Sequence, residues 1–123
     1  SKISQGERNI IGLCYFFASI LENQEETTAY TKEYLLLIDD PVSSFDMENK
    51  TGIMSFLRYQ LGKFLLGNEY TKSIIMTHDL LTYYDSEKMF GELIEASKVK
   101  YGGDKPVYKR YELKNKNINS ISA

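Results

Sequence analysis

Two short apolar runs, each stopped by a polar pair, constrain this chain more than any other feature. Tyr34-Leu35-Leu36-Leu37-Ile38 stops at Asp39-Asp40-Pro41, and Ser73-Ile74-Ile75-Met76-Thr77 stops at His78-Asp79. Uninterrupted apolar runs of this length suit strands buried on both faces better than helices. Between them, from about Asp46 to Leu66, Ile53, Phe56, Leu57, Leu61 and Phe64 recur at helical spacing, and Gly67-Asn68 closes the segment. Strand, long helix and strand in that order imply a right-handed crossover in a parallel sheet, so the expected class is α/β.

The flanking segments fit around that unit. Ser4 is placed to cap a helix whose residues Ile10, Leu13, Cys14, Phe17 and Leu21 form one apolar stripe running to about Asn23. On this reading Cys14 is a buried structural thiol, with no second cysteine to bridge to. Gln24 to Thr31 reads as loop. From Leu80 the pattern is helical to about Ala96, with a break expected around Asp85-Ser86. Tyr101 to Pro106 reads as a turn, so that Val107–Leu113 pairs with Lys98–Tyr101 as a C-terminal β-hairpin, and Asn115 onward reads as a frayed end.

Composition narrows the class further. A chain of 123 residues that is 42% apolar, with only two prolines, has the make-up of one compact unit that buries a core and not of a disordered segment. No apolar stretch is long enough to span a bilayer, and no signal-peptide order opens the chain, so a cytoplasmic setting is expected and no membrane partner. The net charge of −2 hides a split, since residues 1–97 carry 8 basic and 15 acidic side chains and residues 98–123 carry 7 and 2. A basic tail of this kind suits either a solvated face or contact with nucleic acid.

The chemistry gathers at the strand ends. In an open α/β sheet, ligands bind beyond the carboxyl ends of the parallel strands, where Asp39 and Asp40 stand. Asp39 suits a Mg²⁺ ion, and Asp40 suits the polarisation of an attacking water. A pair of turn-capping aspartates before Pro41 is the competing account, and the residues alone leave both open. If the two strands are adjacent, their ends lie about 4.8 Å apart and His78 stands beside the aspartates. At the first helix, Ser4-Gln5-Gly6-Glu7 presents a helix N-terminus suited to a phosphate, or merely a helix cap.

Taken in order, these pieces resemble one family. Ile3-Ser4-Gln5-Gly6-Glu7-Arg8 resembles the signature motif of ABC-type ATPases, and Tyr34 to Asp40 is similar to a Walker B strand. Ser43-Ser44-Phe45-Asp46 is similar to the D-loop, and His78 matches the H-loop. The block Leu37 to Asp46 looks like the RecF/SMC-like ATPases grouped with bacterial anticodon nucleases of the PrrC and RloC type. The resemblance covers residues 2–79.

It implies that the chain is the C-terminal part of a P-loop NTPase head that binds and hydrolyses ATP with Mg²⁺, the metal being held at Asp39. Ser4 and Gly6 would meet the γ-phosphate of ATP bound by a second head in a homodimer, and Glu7 would close the signature of that nucleotide-binding loop. Ser44 and Asp46 would line the nucleotide and communicate across the dimer, and His78 would touch the γ-phosphate. Asp40 stands where most ABC ATPases have Glu, one methylene or about 1.5 Å longer, which leaves the rate of hydrolysis open.

No Gly-x-x-x-x-Gly-Lys-Ser/Thr occurs in the sequence. The phosphate cradle is therefore expected on a missing N-terminal lobe, and these 123 residues alone are expected to be inactive and to self-associate through an uncovered sheet surface. In the complete protein the dimer would gate an effector acting on tRNA or DNA. Two rival readings remain at this stage. One is a metal-dependent nuclease using Asp39, Asp40, Asp46, His78 and Asp79, and the other is a catalytically silent, ATP-dependent dimerisation module.

Overall fold

The computed structural model describes residues 5–42, 48–103 and 108–122. Its elements in chain order are α1 (Gln5–Leu21), α2 (Glu26–Ala29), β1 (Leu35–Asp39), α3 (Lys50–Gly67), β2 (Lys72–Met76), α4 (Leu80–Tyr101), β3 (Arg110–Lys114) and β4 (Asn117–Ile121). β1 and β2 pair in parallel, with Leu35 opposite Lys72 and Asp39 opposite Met76. The class is thus mixed α/β, built from a small parallel sheet and a separate antiparallel hairpin.

One side of the parallel pair meets the helices. Leu36 and Ile38 of β1 pack with Leu13 and Phe17 of α1, with Ile53, Leu57, Leu61 and Phe64 of α3, and with Met89 and Leu93 of α4. These residues form the core because each helix turns only one stripe inward. The expectation that both strand faces are buried is corrected here. Leu35, Leu37, Ile74 and Met76 alternate with the core-facing positions and lie exposed on the opposite face among the described residues.

Cys14 is likewise exposed rather than buried. Leu13 and Phe17 carry the inward stripe of α1, and Cys14 shares the outer side with the exposed Ile11 and Tyr15. Within residues 24–31 the short helix α2 replaces the expected loop, placing Ala29 in the interior. α4 runs unbroken past Asp85-Ser86, because Asp85 pairs with Lys50 of α3 at 2.8 Å and Ser86 packs inside.

The hairpin uses a different turn from the one anticipated. Gly102, with φ 99°, ends α4 while its N–H donates to the Lys98 carbonyl, so Lys98–Tyr101 stays helical. β3 pairs instead with β4, across Asn115 and Lys116, whose φ values of 53° and 63° define a two-residue turn in the left-handed region. The residues read as a frayed end are therefore a strand.

Candidate functional site at the carboxyl ends of the parallel strands

The backbone turns sharply as it leaves β1. Asp40 has φ 51°, a region few side chains other than Asn and Asp enter without Gly's freedom, and its N–H donates to the Met76 carbonyl at 2.7 Å. That bond continues the pairing of the two strands by one residue and sets the Asp40 side chain over the end of β2. There His78 Nδ1 lies 3.1 Å from Asp40 Oδ2. A carboxylate can only accept, so Nδ1 is the proton-bearing nitrogen in this contact. The imidazole is 75% exposed and the carboxylate 31%, so the pair sits at a solvent-accessible lip.

Thr77 completes the arrangement. Its hydroxyl accepts the Asp79 N–H at 3.0 Å and donates to Asp40 Oδ1 at 3.4 Å. Nothing in the sequence reading singled out Thr77; the available signal was a hydroxyl residue directly before the strand-end histidine. Asp79 makes its side-chain hydrogen bonds to α4. Its carboxylate caps α4, accepting the Thr82 N–H at 3.0 Å and the Thr82 hydroxyl at 2.6 Å. The bonds from Thr82 hold its pKa below the ordinary aspartate value.

Asp39 ends β1 on the exposed face. With Asp40 it lines a groove of about 260 Å³, whose other wall is Arg8, Asn9, Gly12 and Phe16 of α1. The N-terminal end of α1 and the carboxyl end of β1 therefore face the same space. Gly6 and Glu7 belong to the opening turn of α1, while Ser4, Ser44 and Asp46 lie outside the described residues.

Among the described residues no group of three or more His, Cys, Asp or Glu is arranged to hold a metal ion. That donor set does not supply a protein cage. Mg²⁺ takes one or two carboxylates and completes its shell with water and substrate phosphate oxygens, so a site for it would need no such cage. Asp39, exposed at the end of β1 and lining the groove, is a carboxylate that could take such a role. No helix among the described residues is long and apolar enough to cross a membrane.

Comparison with known proteins agrees at the level of family. Two curated relatives, from Staphylococcus aureus strain MRSA252 and from Staphylococcus aureus, both named uncharacterized chromosomal cassette SCCmec type IVc protein CR006, are 31% identical over 83 residues. The match covers 68% of this chain and 11% of each relative, so the chain spans about a tenth of their length. No solved structure matches it. The family model described as an AAA domain matches residues 1–122, and with nearly the whole chain accounted for, this protein belongs to the AAA domain family.

Proposed function

We propose that this chain supplies the hydrolytic edge of an ATPase head of the ABC type, acting within a longer protein that also provides the phosphate cradle. Membership of the AAA domain family supports ATP-related chemistry in general. The observation that carries the finer reading is the 3.1 Å contact between Asp40 and His78 at the adjacent ends of two parallel strands. Such a crevice is where open α/β sheets receive their ligands.

In this reading Asp40 orients and polarises the attacking water, and His78 meets the γ-phosphate through Nε2. A phosphate oxygen only accepts, so Nε2 meets it as a donor, in an imidazolium whose Nδ1–H is held by Asp40. Asp39 holds Mg²⁺, which supplies neutralisation of charge on the phosphate oxygens. Ser4, Gly6 and Glu7 serve the nucleotide of a second head, with Ser44 and Asp46 between the two, and a nucleic-acid-directed effector lies elsewhere in the longer chain. Opening and closing of the head pair then gates that effector.

The test is MgATP hydrolysis by the complete protein. Asp40→Asn keeps nucleotide binding and lowers turnover by about 10²-fold or more, the usual worth of a group that handles the proton of the nucleophile. Unchanged turnover would instead assign the chain to a dimerisation module without catalysis of its own.

A further inference from the structure

We infer that Thr77 is a positioning residue for Asp40, a role that rests on the ATPase reading above. Asp40 is held at three points by three consecutive residues at the end of β2. Met76 accepts its N–H at 2.7 Å, Thr77 addresses Oδ1 at 3.4 Å, and His78 addresses Oδ2 at 3.1 Å. Met76 ties Asp40 to β2, and Thr77 connects it onward toward α4, because its oxygen also accepts the Asp79 N–H at 3.0 Å.

The direction of the hydroxyl follows from its valence. A threonine hydroxyl has a single proton, and the Asp79 N–H already points at its oxygen, so the proton is left for the carboxylate of Asp40. Asp79 is itself fixed by its cap on Thr82. A continuous run of hydrogen bonds therefore ties the Asp40 carboxylate to the first turn of α4. Asp40 needs such an anchor, since with φ 51° its backbone leaves the strand geometry that would otherwise aim the side chain. His78 holds Oδ2 through Nδ1 while its Nε2 meets the phosphate, so its position follows the nucleotide as well as Asp40, whereas the Thr77 hydroxyl has no such second duty. Thr77 keeps Oδ1 in place while the imidazole engages the nucleotide, and small displacements of a reacting group are costly in rate.

Thr77→Val keeps the shape and the β-branched fit to the strand end but removes the hydroxyl, and Thr77→Ser restores it. In steady-state MgATP hydrolysis by the complete protein, the valine variant loses at least about tenfold in kcat while KM stays within about twofold, and the serine variant recovers most of the loss. A valine variant as fast as wild type, or a serine variant as slow as valine, overturns the proposal. Amide hydrogen exchange at Asp40 and Asp79 in the same variants needs no turnover. If wild type hydrolyses nothing, the ATPase reading falls, and exchange alone decides the positioning role. Faster exchange in valine and not in serine sustains it, and equal exchange in all three refutes it.

Discussion

Asp79 shows how one carboxylate separates structural from chemical work. Next to His78 in sequence, it reads as a member of an acidic and imidazole cluster, yet its Oδ2 accepts both the N–H and the hydroxyl of Thr82 at the start of α4. Because its pKa is lowered in the folded chain, the charged cap adds stability above the ordinary aspartate range near pH 4, and that contribution is lost as pH falls through the lower folded value. Thermal melts of wild type and Asp79→Asn should therefore differ most at neutral pH and converge as the pH falls through the lowered folded value. A constant gap at every pH would show that the cap acts without its charge. The meeting of Asp40 and His78 was legible in the sequence because each follows one of two neighbouring parallel strands. Thr77 was not, because a threonine in an apolar run reads first as a β-branched strand former.

The elements divide along the same line between pattern and context. β1, β2 and α3 were readable from run length and from the three- and four-residue spacing of Ile53, Leu57, Leu61 and Phe64, all of which are buried. The hairpin was anticipated with the wrong strand as partner. Gly102-Gly103 carries the stronger turn signal in sequence, but Gly102 is spent on ending α4, while Asn115-Lys116 forms a left-handed turn without any glycine. Cys14 failed for a geometric reason, as it falls beside the buried stripe of α1 and not within it. The packing of α3 gives a sharper expectation. Phe64 lies fully buried, with its ring centroid 4.8 Å from Tyr30, 5.1 Å from Tyr34 and 6.0 Å from Phe17. Phe64→Ala should cost about 3–5 kcal/mol in chemical denaturation, through lost burial and the cavity left behind. Three residues on, Gly67 approaches the Tyr30 carbonyl so closely that an added Cβ would sit 2.2 Å from its oxygen, which is why a helix end there tolerates no side chain.

At the scale of the whole molecule, the two faces of the parallel sheet are unequal. The inner face carries the core, and the outer face presents Leu35, Leu37, Ile74 and Met76, with Leu37 51% and Ile74 48% exposed. Expressed by itself, the 123-residue chain should associate with its own copies as concentration rises in light scattering, and Leu37→Lys with Ile74→Lys should suppress that association. Monomeric behaviour of the unsubstituted chain at high concentration would count against an apolar sheet face in need of cover. The basic tail finds a partial structural explanation, for Arg110 pairs with Glu87 of α4 at 3.0 Å and fastens the start of the hairpin to the body.

The contact between Asp40 and His78 bears the greatest weight, and a double-mutant cycle on single-turnover MgATP hydrolysis by the complete protein probes it most directly. If the two act as one unit, Asp40→Asn combined with His78→Ala is no slower than the slower single variant, far short of the product of the two effects. Fully multiplicative losses, or hydrolysis at the wild-type rate in either single variant, would contradict the account.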